Sequence, residues 1–168
     1  MRRQKGFSLI ELLIVVAIIL IIAAIAIPNL LRARIAANES SAVSAVRTVN
    51  TAEVSYNSAY PTVGYSPTLV ALGDGGACPT PPTQATACLI DNVLANNGNP
   101  AGSGKSGYNF TYNVVATAGL NTGYNMNANP ITNNQTGVRS FCSVEDSVVR
   151  YIPSGGGLVC TNAINPLL

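Results

Sequence analysis

The sequence predicts an α+β fold in which one long N-terminal helix, membrane-spanning in its first half and amphipathic in its second, packs on a small antiparallel sheet of about four strands. Three observations predict it. Phe7 to Ile27 is a run of twenty-one residues, apolar except for Ser8 and Glu11, which at ~1.5 Å per residue crosses a hydrocarbon core of ~30 Å. From Asn29 to Tyr56 no Gly or Pro interrupts the chain and Ala is frequent, so helix continues. From Tyr108 onward, apolar and aromatic residues alternate with polar ones in four short stretches, the period of half-buried strands.

Taken in order, residues 1–6 form a basic leader with Arg2, Arg3 and Lys5, which by the positive-inside rule keeps the N-terminus cytoplasmic. Ala24 and Ala26 make a small-x-small match, but Pro28 and a long helical continuation follow, which argues against ordinary signal-peptide cleavage there. Glu11 is out of place in the apolar run, because a carboxylate at the centre of a membrane helix costs about 2.5 to 3.5 kcal/mol and somewhat less near the interface. Some partner must compensate it. Pro28 removes one intrahelical hydrogen bond and crowds the carbonyl of Ala24, so a kink or loosened turn is expected at that point.

In residues 29–60, Leu31, Ile35, Ala42, Val46, Val49, Tyr56 and Tyr60 share one face at 100° per residue, with Arg34 and Arg47 outside it. Glu53 lies on the same stripe, and a buried partner such as an Arg, or exposure at the rim, would account for it. Tyr60-Pro61 ends the helix. Residues 61–107 then turn to Pro, Gly, Thr and Asn, a connecting loop region in which Thr68 to Leu72 and Leu89 to Leu94 are expected to be short ordered pieces. Strands are expected at Tyr108 to Val114, Gly123 to Ala128, Arg139 to Val144 and Val148 to Ile152, joined as a meander. A Gly-rich tail from Pro153 to Leu168 completes the sheet-and-tail segment of residues 108–168.

Four cysteines, Cys78, Cys88, Cys142 and Cys160, accompany an export-type segment, so disulfides are expected. Three connectivities are possible. Local closure, Cys78 with Cys88 and Cys142 with Cys160, is favoured because short loops close easily. The absence of a CxxC spacing argues against a zinc site, and no cofactor or other metal is implied. Without the leader, six Lys or Arg face seven Asp or Glu, so net charge supports no nucleic-acid partner. There is no His, the commonest catalytic base, and no nucleophile motif, which leaves an enzyme as the least favoured class.

The basic leader, Gly6, the segment Phe7-Ser8-Leu9-Ile10-Glu11-Leu12-Leu13-Ile14-Val15-Val16-Ala17-Ile18-Ile19 and the Pro after the run closely resemble the type IV pilin family, whose N-terminal motif is shared with type II secretion pseudopilins. The resemblance covers residues 1 to about 35. It implies the type IV pilin fold, cleavage after Gly6 by a prepilin peptidase and N-methylation of the new Phe7 terminus. It further implies storage in the bacterial inner membrane and polymerisation through residues 7–28 into a surface filament for adhesion, motility or DNA uptake. The partners implied are further copies of the chain, the peptidase, the assembly machinery and membrane lipid. Related chains carry a helix-softening Gly about where Leu20 stands here. Cleavage turns the Phe7 amide into an amine with a pKa near ~7.7 to 8.0, one helical turn from Glu11, which then pairs with it in its own chain or in a neighbour. The resemblance implies the intersubunit pairing.

A pseudopilin or minor pilin shares the same N-terminal motif; the long loop and the two-cysteine tail favour pilus use. A membrane-tethered binding or adhesion module is a reading from another class. In it Tyr56, Tyr60, Tyr65, Tyr108, Tyr112 and Tyr124 would form a stacking surface for single strands. Their strand alternation and their place on the helix stripe favour core packing instead.

Overall fold

A computed structural model describes residues 7–153 and Cys160. The leader with Gly6, and all of the Gly-rich tail except Pro153 and Cys160, lie outside the described residues. Two compact units divide the chain, Met1–Arg34 and Ile35–Leu168.

Helix α1 runs Leu9–Ala59, 51 residues, with Pro28 inside it. Helical geometry is unbroken through both Leu20 and Pro28. The helix ends one residue before Tyr60-Pro61, and the Tyr60 N–H still reaches the Tyr56 carbonyl at 2.8 Å. In the first unit the apolar side chains from Leu9 to Ile27 are exposed except for the half-buried Ala23, and the stretch is long and apolar enough to cross a membrane.

In the second unit α1 carries the core stripe. Ala42, Val46, Val49 and Tyr56 are buried against the sheet, as the periodicity predicts, whereas Leu31 is exposed. The outer face of the helix holds hydroxyls that would otherwise compete for backbone groups. Thr48, Thr51, Ser55 and Ser58 each donate to the carbonyl four residues earlier.

The connection after α1 contains a short 3₁₀ turn at Leu69–Leu72, capped by the Thr68 hydroxyl, and a helical turn α2 at Asn92–Ala95, capped by Asp91. A disulfide joins Cys78 to Cys88, with Cα atoms 5.8 Å apart.

Four antiparallel strands follow, β1 Tyr108–Thr117, β2 Leu120–Pro130, β3 Ser140–Val144 and β4 Arg150–Ile152, in the order β1-β2-β3-β4. The first two run longer than the alternation alone predicts. Ala118 and Gly119, both at positive φ, form a two-residue turn whose twist matches that of a hairpin, so pairing extends to Thr117 and Leu120. The register sets the faces: Phe110 opposes Ala128, Tyr112 opposes Met126 and Ala128 opposes Phe141, and this side joins the α1 stripe in one core. On the other side Asn127, Cys142 and Arg150 line up across three strands, and Cys142 is bonded to Cys160, Cα atoms 5.7 Å apart. Gly137 is required where it stands, since a Cβ there would lie 2.1 Å from the Tyr108 hydroxyl.

Candidate assembly site

The sequence singles out Phe7 and Glu11, and the structure puts Glu11 in the exposed first turn of α1 and Phe7 two residues before the helix. Phe7 is exposed, and the Glu11 carboxylate accepts the Ser8 N–H at 2.8 Å. The geometry is that of a helix cap, in which an acid three residues into the chain takes a backbone donor that the first turn leaves free. Residues 9–27 supply the apolar side chains around this single carboxylate.

In the second unit, α1 holds the headgroup through three polar groups set among its apolar positions. Glu39, seven residues before Val46 and so on the same stripe, is 7% exposed. Its Oε1 accepts the backbone N–H groups of Val138 and Arg139 at 3.1 Å each, and its Oε2 accepts the Arg139 guanidinium at 2.9 and 2.6 Å. Burial alone would raise the Glu39 carboxyl, but the side-chain and backbone donors of Arg139, with Val138, outweigh it and hold the group below its usual range. The Arg139 guanidinium in turn lies over Phe141 and Tyr151, 5.5 and 5.8 Å from the ring centroids. Arg139→Ala would strand a buried carboxylate, and a loss of about 3 kcal/mol is expected in urea unfolding; Arg139→Lys, which keeps charge without the fork, should fall between the two.

Asn50 uses both halves of its amide. Its Nδ2 donates to the Ser147 carbonyl at 2.9 Å and its Oδ1 accepts the Tyr124 hydroxyl at 3.0 Å, which ties the β3–β4 turn and β2 to the helix. Burial pushes the Tyr124 phenol up to about 12.

Glu53 has the buried partner that its place on the stripe calls for, but that partner is Ser66 and not an Arg. It does not sit at a rim; it is fully buried. Its Oε2 accepts the Ser66 backbone N–H at 2.9 Å and its Oε1 lies 2.5 Å from the Ser66 hydroxyl, which also reaches Tyr112 at 3.1 Å. The Tyr112 hydroxyl donates to the Ser66 carbonyl at 3.0 Å. Burial pushes the Glu53 carboxyl up, and the Ser66 and Tyr112 bonds only partly offset it.

The tyrosines pack inward. Tyr56, Tyr108 and Tyr124 are buried and Tyr60, Tyr65 and Tyr112 pack against the core, with Tyr112 stacked on Tyr124 at 6.0 Å. No exposed stacking surface is formed by them. Sequence reasoning passed over Glu39, Asn50 and Ser66. The first two carried a usable signal, polar residues at stripe positions; Ser66 carried none.

A family model described as the prokaryotic N-terminal methylation motif matches residues 1–27. Over 40 residues the chain is 68% identical to the type IV wide pilus major component PilA4 of Thermus thermophilus, 24% of this chain and 30% of that protein. Over 54 residues it is 48% identical to the type IV major pilin protein PilA of Myxococcus xanthus, 32% of this chain and 24% of that one. The matches thus span less than a third of either relative. No solved structure matches the chain significantly.

Proposed function

We propose that this chain belongs to the type IV pilin family and is a structural subunit of a type IV pilus, a reading supported by the match to the N-terminal methylation motif and by the similarity to two major pilins. It is cleaved after Gly6, methylated at Phe7, held in the membrane by residues 7–28 with its N-terminus cytoplasmic, and polymerised through the same helix.

One observation carries the reading: the second unit gathers a buried core of its own, while in the first every described apolar residue except Ala23 is exposed. Exposed apolar surface of that length needs a lipid or protein environment. A bilayer supplies it to the monomer, and the same stretch of neighbouring copies supplies it in a filament. Glu11 then has a use in the second environment that it lacks in the first, since a carboxylate among apolar helices fixes their axial register through an opposing charge. That charge is the Phe7 amine created by cleavage.

Mass spectrometry of filaments sheared from cells that produce the chain tests this. A dominant subunit that begins at N-methylated Phe7 is expected. Absence of the chain from the sheared fraction, with the processed form confined to the membrane beside a secretion apparatus, would move it to the pseudopilins.

A further inference from the structure

The charges of the second unit sort themselves almost completely. Arg139 is paired with Glu39, Lys105 with Asp91 at 2.8 Å, and Arg150 with Asp146. Glu53 is held by Ser66, and Asp74 takes the Gly76 N–H at 2.9 Å. Two charged groups are left over: among the described residues of this unit, Arg47 and Glu145 alone have neither an ion pair nor a side-chain hydrogen bond, and both are exposed. In a chain with only 10% charged residues, one spare cation and one spare anion form a small and specific remainder.

They lie on opposite sides of the sheet. Arg47 is on α1, at the wall of a groove of about 510 Å³ lined also by Thr51, Val54, Ser55, Asn50 and Ser147. Its apolar member, Val54, is exposed. Glu145 sits in the β3–β4 turn, and its carboxylate lies over Gly123 on the face away from α1, where a Cβ at Gly123 would be 3.3 Å from Glu145 Oε2 and 3.7 Å from Val115 Cβ. Val115, beside it, is likewise exposed. Asn50 fixes the turn to the helix, so the two patches are rigidly related within one headgroup.

Each patch thus pairs one free charge with one exposed valine, and the signs are opposite. Complementary patches on different faces of one body make a head-to-tail contact, and repetition of such a contact builds an open filament wherever its rotation does not close into a ring. We propose that the Glu145–Val115 corner of one copy seats in the Arg47–Val54 groove of the next, as a headgroup contact distinct from the packing of residues 7–28. The inference rests on the filament reading and adds a second, polar address to it. Opposite charges in such a contact set partner and register more than raw affinity, and like charges brought face to face oppose it strongly.

Charge exchange tests it in cells where the chain is the sole pilin. Filament yield is measured in the sheared fraction against processed subunit in the membrane, which separates assembly from folding. Arg47→Glu and Glu145→Arg are each expected to lower the yield about tenfold or more, with processed subunit unchanged, and the double exchange R47E/E145R to restore most of it. In addition, Val54→Cys combined with Val115→Cys should yield a ladder of cross-linked multimers in intact filaments, and neither single cysteine should. Normal yield from both single reversals overturns the proposal, as does a loss that the double exchange leaves unrepaired without any V54C/V115C ladder. If the wild-type chain forms no filaments, the filament reading fails first.

Discussion

Glu11→Ala is expected to insert into the membrane at least as well as the wild type, to be processed at Gly6, and to yield almost no filament. The expectation follows from three separate settings of one carboxylate. In the bilayer the group is a burden of up to about 3 kcal/mol, depending on its depth, so its loss does not harm insertion. At the start of α1 it accepts the Ser8 N–H, and loss of such a cap costs about 1 kcal/mol, small for a helix of 51 residues. On the proposed reading, only between copies is the negative charge irreplaceable, because an apolar helix would have no other feature to fix its height against its neighbours. Glu11→Gln sharpens the test, since the amide oxygen still accepts the Ser8 N–H but cannot form an ion pair with the Phe7 amine. Filament yields for both variants, measured beside the amount of processed subunit in the membrane, decide the matter. Normal yield from Glu11→Gln would show that the cap, not the charge, is what assembly uses.

Glu53→Leu should destabilise the headgroup by about 2 to 4 kcal/mol, because it leaves the buried Ser66 N–H without its acceptor and breaks the contact with the Ser66 hydroxyl. Glu53→Gln should cost far less. The single Ser66 hydroxyl hydrogen cannot serve both the Glu53 Oε1 and the Tyr112 oxygen. A proton on Glu53, which burial favours, would resolve this: the acid would then donate to Ser66 and Ser66 to Tyr112, with Tyr112 donating to the Ser66 carbonyl. Gln reproduces that pattern at any pH, with its Nε2 donating to the Ser66 hydroxyl and its Oε1 accepting the Ser66 N–H. The sign of the pH effect follows from burial, which raises the Glu53 pKa in the folded chain. The folded state therefore holds this proton more tightly than the unfolded one. Its stabilising contribution is complete below the ordinary carboxylate pKa of about 4.3 and is lost as pH rises through the raised value. Glu39 and Asp146, whose carboxyls are lowered, act in the opposite direction, so the comparison of wild type with Glu53→Gln isolates the Glu53 share. Urea unfolding of the detergent-solubilised chain from pH 4 to 8 should show the variant gaining on the wild type as pH rises. Parallel curves would mean that folding leaves the Glu53 pKa where it stands in the unfolded chain.

Much of the fold is legible in the sequence because it is written in local periods. Twenty-one residues of apolar run, a gap-free stripe from Ala42 to Tyr56 and the alternation around Tyr108, Phe110 and Tyr112 each specify an element without reference to the rest of the chain. Pairing is another matter. Arg139 lies 100 positions from Glu39, and nothing local at either residue names the other. Ser66 sits in a Pro- and Gly-bearing connection with no period at all, yet it meets both α1 and β1. Even so, the acids were readable as anomalies: Glu39, Val46 and Glu53 recur every seven residues on one helix face, so two carboxylates on an apolar stripe announce two buried partners without saying which. In the candidate site the motif around Phe7 and Glu11 is dense enough to be read directly, whereas the Arg47 and Glu145 remainder emerges only after every other charge has been matched in three dimensions.

Glu39, Asn50 and Glu53 also determine how the headgroup bears load. Each fastens α1 to a different part of the fold, Glu39 to the chain entering β3, Asn50 to β2 and the β3–β4 turn, and Glu53 to the loop before the 3₁₀ turn and to β1. A slide of the helix by one turn, ~5.4 Å, would leave all three without partners together. Traction applied along α1 therefore meets three fastenings side by side, not a row that opens one after another, and an apolar stripe alone would offer no such resistance to shear.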